Sequence, residues 1–356
     1  MMKTPRVLMV GPGRCEKGGI AAVVDTYFKL GIESRTSFRY IDSYLDGGKL
    51  KKVCVFASAY VRVFAAMKKF DILHVHMASY ASFTRKAKIV ELAHKHNKKI
   101  VIHQHGGAFD KFYHDSSAEE KAYIRRIFSY ASKVFVMSGE WYDFFVDEIC
   151  DKNKVEVLFN GVIFPKIEQK NYENHNLLFL GRLETKKGVY ELLEAMPDIK
   201  AHFPDVQLYI GGYGEQEKMQ RIATNLCIAD CVHFAGWVVD EQKIDLMEKC
   251  SLFILPSYTE GLPVSVLEAM SYGLIPIATH VGGIPGVITN GENGFLMPPH
   301  QSEAIVSTVC SIIGNTARKI VTGRKARDCI ELKFNAKDNL ERVLQVYDEL
   351  IRGDLI

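Results

Sequence analysis

The sequence predicts an α/β fold of two doubly wound, Rossmann-like domains, each a parallel sheet covered by helices. Three observations lead there. Twelve short runs rich in apolar residues recur along the 356 residues, most of them apolar nearly throughout, as strands buried on both faces are. Amphipathic stretches such as KGVYELLEAMPDI separate them, which suits parallel strands because each return crossover needs a helix-sized connection. The last six runs repeat the layout of the first six.

In chain order, the first domain's strands are expected at 6–11 (RVLMVG), 38–42 (FRYID), 71–76 (DILHVH), 99–105 (KIVIHQH), 133–138 (KVFVMS) and 155–160 (VEVLFN). Those of the second are expected at 176–181 (NLLFLG), 206–212 (VQLYIGG), 232–236 (VHFAG), 252–257 (LFILPS), 275–279 (IPIAT) and 294–297 (GFLM). Polar residues interrupt the pattern at 163–175 (IFPKIEQKNYENH), which predicts a hinge and places the domains at 1–165 and 166–336. The helical stretch 337–356 has no assigned packing partner.

With 47% hydrophobic and 24% charged residues the chain is globular, and neither disordered nor fibrous. No apolar run reaches the roughly 18 residues of a membrane span. The start, MMKTPRVLMVGPG, reads as a strand entering a glycine turn, so no signal peptide is expected. Eight cysteines without paired CxxC spacing suit reduced thiols in the cytoplasm. Residues 1–165 carry a net charge of +9 and the remainder −6. The basic half is expected to meet something anionic, a membrane surface or a phosphate-bearing acceptor; the competing reading is ordinary solvated lysine.

In open parallel sheets ligands bind beyond the carboxyl ends of the strands. After the first strand, GPGRCEKGGI places Gly18 and Gly19 just before a helix, where a backbone can approach a phosphate closely. The spacing departs from G-x-G-x-x-G, so a nicotinamide dinucleotide is not expected. After the strand at 176–181, GRLETKKG offers Arg182 and Lys187 as a clamp for a diphosphate, with Lys186 competing for the second position. The stretch FILPSYTEGLPVSVLEAM reads as strand, loop and helix, with Pro263 in the first helical turn. Glu260 then lies at the mouth of the sheet. Glu268, on the helix, points toward apolar surroundings and needs polar partners, which two ribose hydroxyls would supply.

Glu260 and Glu268 resemble the Glu-x7-Glu motif of retaining glycosyltransferases with the GT-B fold, and the whole arrangement resembles glycosyltransferase family 4. GGI at 18–20, HQHGG, NGV at 160–162, GRLETKKG, YIGGYGE, FAGWV, EGLPVSVLEAM and VGGIPGVI carry the likeness in order along most of the chain. The resemblance implies a cleft between two domains that binds a nucleoside diphosphate sugar. Glu268 would take the ribose hydroxyls, and Glu260 the transferred sugar together with backbone groups at Gly261, Leu262 and Pro263. Arg182 and Lys187 would hold the diphosphate, with Gly18 and Gly19 closing over it. Gly212, Trp237 and Val238 would complete the donor site, the last two flanking the base. His105 would be the active-site histidine near the sugar, with His103 packing in its strand. His76, Ser138 and Asn160 are expected along the acceptor cleft.

The resemblance further implies transfer of a hexosyl group, from UDP-hexose in the first instance, to a saccharide or lipid-linked acceptor, with retention at the anomeric carbon. Neither a cofactor nor a metal is expected: no DxD sequence is present, and the paired histidines of HVH and HQH lack an accompanying acid or cysteine cluster. Nucleic acid is not an expected partner. The stretch 49–70 is apolar in its middle and basic at its ends; it reads as a helix covering the first sheet, with a peripheral position on the inner membrane face as the alternative. Rival readings are a nucleotide-sugar epimerase or hydrolase of the same fold and a non-catalytic nucleotide-sugar sensor.

Overall fold

The computed structural model describes residues 4–105, 108–167 and 170–353. Gly106 and Gly107 of the HQHGG motif, and residues 168–169 of the expected hinge, lie outside the described residues. The chain divides into two compact units, Met1–Gly161 with Ala336–Ile356, and Val162–Asn335.

In the first unit β1 (Arg6–Gly11), β2 (Ser37–Asp42), β3 (Ile72–Met77), β4 (Lys99–Gln104), β5 (Lys133–Val136) and β6 (Val155–Val157) form one parallel sheet in the order β2-β1-β3-β4-β5-β6. Every residue of β3 is buried, which is why its sequence reads as a run without alternation. Leu8, Val10, Val75, Ile100 and Ile102 pack with Phe83, Phe109, Phe128 and Phe145 in the core. The C-terminal helix, Ala336–Arg352, belongs to this unit and buries Leu340, Val343, Val346, Tyr347 and Leu350. Arg342 on it donates to both carboxylate oxygens of Glu156, at 2.5 and 2.9 Å. Lys133 meets the same carboxylate at 2.6 Å.

In the second unit β7 (Asn176–Leu180), β8 (Gln207–Gly211), β9 (Val232–Gly236), β10 (Leu252–Leu255), β11 (Ile275–Thr279) and β12 (Phe295–Met297) form a parallel sheet in the order β12-β11-β10-β7-β8-β9. The boundaries fall a few residues from those expected because Val162 donates to the carbonyl of Phe334 at 2.9 Å and pairs with Asn335, so the chain enters and leaves this unit side by side. Residues just past 162 already belong to it: Arg327 donates to the carbonyl of Pro165 at 2.8 Å.

Both sheets reverse strand order beside their first strand, between β1 and β3 and between β7 and β10. Such switch points open a crevice at the carboxyl ends of the two strands, because their crossovers leave on opposite faces. The loops after β7 and β10 carry Arg182, Lys187 and Glu260, and the loop after β1 carries Gly18 and Gly19.

Candidate functional site

In the second unit, the loop leaving β7 ends in a single 3-10 turn, Thr185–Lys187, and Gly188 starts the Val189–His202 helix in the left-handed region at φ 65°. A Cβ on Gly188 would stand 2.0 Å from the carbonyl oxygen of Pro256, so only glycine lets this loop lie against the one leaving β10. Lys187 thereby reaches Glu260, with Nζ 2.5 Å from Oε1. Ser257 donates its hydroxyl to the same oxygen at 2.7 Å. Lys186 points out to solvent, while its carbonyl accepts from the amide of Tyr258 at 2.9 Å. Of the two lysines, Lys187 is the one that meets the Glu260 carboxylate.

Pro263 is the N-cap of the Val264–Ser271 helix and stands one residue before it, not in its first turn. The loop ahead of it is braced by the VGG segment: the amide of Gly283 donates to the carbonyl of Gly261 at 2.6 Å. A Cβ on Gly282 would lie 1.8 Å from the carbonyl oxygen of Glu260. Leu262 is buried. The segment Glu260–Pro263 is therefore held in place on both sides before any ligand arrives.

Glu268 is not enclosed by apolar groups. Its side chain keeps a quarter of its surface, and Lys243 on the Asp240–Lys249 helix donates to Oε1 at 2.6 Å. Lys243 and Ser257 were not legible as site residues in the sequence, because a lone lysine or serine in a polar helix or loop carries no spacing signal. Nor was Tyr213, whose ring lies 5.2 Å from the Arg182 guanidinium and meets Trp237 edge-on at 5.3 Å. Arg182, Tyr213 and Trp237 form a row of planar groups, and Trp237 keeps 41% of its surface exposed. Val238 is buried: its side chain comes within 2.8 Å of where a Cβ on Gly211 would stand, so it packs on β8 and does not offer a side-chain face to a base. Gly212 must be glycine, since a Cβ there would lie 1.9 Å from the carbonyl oxygen of Gly181.

In the first unit, Gly18 caps the Gly19–Lys29 helix, and a Cβ on Gly18 or Gly19 would meet nothing within 4 Å. Packing within the protein therefore does not require glycine here; a ligand lying against the loop would. His105 follows β4 and lies 2.8 Å from His76, Nε2 to Nδ1. His76, expected at the acceptor cleft, has no exposed surface and stands behind His105 in the sheet. Ser138 spends its hydroxyl on capping the Gly139–Glu148 helix, accepting from the amide of Trp141 at 3.3 Å. Asn160 is buried and its side chain hydrogen-bonds His105.

These contacts fix the tautomers. His76 Nε2 lies 3.3 Å from the thioether sulfur of Met9, which can only accept, so Nε2 carries the proton and Nδ1 is a lone pair. His105 must then donate from Nε2. The hydrogen bond with Asn160 favours the protonated imidazole of His105 and offsets only part of the effect of burial. Burial lowers His105 and His74 to about 3, and holds His76 and His103 well below the usual imidazole range.

His74, His76 and His103 bring ring nitrogens within 4.8 Å of one another. The rings are stacked, at 4.8 Å and 12° for His74 and His76 and 5.1 Å and 28° for His76 and His103. Lone pairs lie in the ring planes, so stacked imidazoles send theirs out side by side instead of toward one point, and this column does not present a coordination sphere.

Two family models match successive parts of the chain: Glycosyltransferase Family 4 over residues 38–163 and Glycosyl transferases group 1 over residues 163–330. The chain belongs to the glycosyltransferases of the GT-B type, family 4-like. It is 25% identical over 291 residues to the amylovoran biosynthesis glycosyltransferase AmsK of Erwinia amylovora, covering 79% of this chain and 70% of that protein. A glycosyltransferase of Methanocaldococcus jannaschii is 26% identical over 271 residues, covering 71% of this chain and 69% of its own. Among solved structures, HepE of Anabaena in complex with UDP-glucose superposes with a TM-score of 0.74 at 17% identity, covering 96% of this chain and 99% of that one, a likeness of fold.

Proposed function

We propose that this glycosyltransferase moves a hexosyl group from a nucleoside diphosphate sugar, UDP-hexose, to a saccharide or lipid-linked acceptor in cell-surface polysaccharide synthesis, with retention at the anomeric carbon. The observation that carries the reading is the pair of acid–base contacts at the switch point of the second unit, Lys187 on Glu260 and Lys243 on Glu268. Each glutamate receives its lysine on Oε1, and ribose or hexose hydroxyls are the complementary donors for Oε2. The role of AmsK in amylovoran biosynthesis supports the polysaccharide setting, and the UDP-glucose bound to HepE supports the donor.

In the reaction the bond between the anomeric carbon and the phosphate oxygen breaks, and its electron pair leaves on the diphosphate. Arg182 and Lys187 neutralise that charge as it develops; fixed cations of this kind can supply the largest share of a barrier reduction. Glu268 anchors the ribose and Glu260 the hexose, so the leaving group departs along one line. The acceptor oxygen bonds to the anomeric carbon on the face the diphosphate leaves, and its proton passes to the departing phosphate oxygen. His105 is kept neutral by burial and hydrogen-bonds His76 and Asn160; it positions and is not the base.

The test is incubation of the protein with labelled nucleotide sugars, with and without membrane lipid extract. Label moving to an acceptor, and only in its presence, supports transfer. Release or epimerisation of the sugar without acceptor, or binding with no turnover, would replace this reading with one of its rivals.

A further inference from the structure

The helix Lys49–Ala66 covers the first sheet as the sequence suggested, but with only one side. Ala59, Val63 and Ala66 are buried beneath it. Its outer side is apolar as well: Leu50 is 78% exposed, Val53 63%, Val61 64% and Phe64 57%. These are four of the eleven large hydrophobic residues that stand exposed among the described residues, gathered on one helix. At the α-helical turn angle, Leu50, Val53, Cys54, Ala57, Val61, Phe64 and Ala65 fall within an arc of about 120°, opposite the buried alanines and Val63. Isolated exposed apolar residues need no explanation, whereas a continuous stripe marks an interaction surface.

The charges around the stripe identify its occupant. Residues 49–70 contain six lysines and arginines, Lys49, Lys51, Lys52, Arg62, Lys68 and Lys69, and no acid. Within the helix, Lys49 lies on one flank of the arc, and Lys51 and Arg62 on the other. Lys52 meets the carboxylate of Asp46 at 3.1 Å, and Arg62 acts on the carboxylate of Asp42. A convex apolar ridge edged with cations fits a bilayer whose surface is anionic, with Leu, Val and Phe entering the headgroup boundary and the lysines remaining among phosphates. A second copy of this chain fits poorly, because a two-fold contact through this face would set two such cationic rims against each other.

The position of the helix gives the contact a purpose. Asp42, the last residue of β2, pairs with Gly11, the last of β1, and the amide of Gly13 donates to the carbonyl of Tyr44 at 2.8 Å. The helix begins a few residues later, so its Leu50 end starts from the carboxyl edge of the first sheet, the edge that carries the Gly18–Gly19 loop and His105. We propose that the outer face of Lys49–Ala66 docks this glycosyltransferase on an anionic lipid surface, presenting the carboxyl edge of its first sheet to headgroups of lipid-linked acceptors. This deepens the proposed function by choosing the lipid-linked class of acceptor, and it rests on that reading only for its purpose, not for the binding itself.

The experiment is co-sedimentation of the full chain with vesicles of phosphatidylcholine alone and of phosphatidylcholine mixed with phosphatidylglycerol, at low and high salt. The protein should bind the mixed vesicles, bind neutral ones at least about tenfold more weakly, and lose affinity as salt rises. Val61→Glu should lower binding to mixed vesicles about tenfold, since it replaces an inserting apolar group by an acid among lysines. Lys51→Gln should narrow the preference for anionic vesicles. Because Val61 is exposed, the melting temperature and UDP binding of V61E should match the wild type, so vesicle binding and donor binding fail separately. Equal binding to both vesicle types, binding to neither, or unchanged binding by V61E would overturn the proposal. So would concentration-dependent self-association that V61E abolishes, because that outcome assigns the face to a second copy.

Discussion

Lys187 Nζ stands 2.5 Å from Oε1 of Glu260, across two loops that leave adjacent strands of one sheet. Glu260 is nearly buried, with 9% of its side chain exposed, and the lysine keeps 23%. The cation is therefore fixed at the mouth of the sheet by a partner that is itself fixed by Ser257.

Removing that cation tests its charge against its packing. Lys187→Met should lower kcat/KM for sugar transfer by roughly 10²- to 10³-fold, the range seen when one preorganised donor to a developing oxyanion is lost. The loss should fall mainly in kcat. Steady-state kinetics with saturating acceptor checks it, and an effect confined to KM would mean that Lys187 binds the donor without favouring the departing diphosphate.

Two glycine substitutions should behave oppositely. Gly188→Ala forces a left-handed backbone and a Cβ onto the carbonyl of Pro256, so it should destabilise the protein by at least about 2 kcal/mol in chemical denaturation. Gly18→Ala enters open space and should leave stability within about 0.5 kcal/mol. Its cost should show in transfer rate, if a donor phosphate lies against that loop.

The histidine column sets an acid limit. His74 and His105 have folded pKa values of about 3, below the unfolded imidazole value, so the unfolded chain binds more protons between the two. Their contribution is whole above about pH 6.5 and is lost as pH falls from there toward 3. Each contributes up to about 1.4 kcal/mol per pH unit inside that window. Ring carbon and nitrogen NMR should show His105 neutral at pH 5 as the Nε2–H tautomer. A titration near pH 6.5, or the Nδ1–H tautomer, would refute the assigned hydrogen-bond chain.

The central strands were legible because they are buried on both faces, as ILHVHM and LFIL are throughout, whereas the edge strands β2 and β9 are partly exposed. Arg182, Lys187, Glu260 and Glu268 were legible as strand-exit or early-helix charges at fixed spacing. What the sequence withheld depends on distance across the chain. The Lys243 contact to Glu268 joins two helices, and the Arg182–Tyr213–Trp237 row joins loops after three strands. His76 was expected along the acceptor cleft because it lies near a strand exit; its ring is instead enclosed by Met9 and His105, a pairing that only the sheet order reveals. The C-terminal helix could not be placed because an amphipathic stripe shows that a helix packs and not against which sheet.

The central claim is that the two acid–base contacts of the second unit hold a nucleotide-sugar donor, and calorimetric titration of UDP-hexose into the wild-type protein and Glu268→Ala tests it most directly. Loss of two hydrogen bonds to a charged group should weaken binding at least about tenfold, with no change in melting temperature beyond that of losing the Lys243 contact. Equal affinity in the two proteins would contradict it.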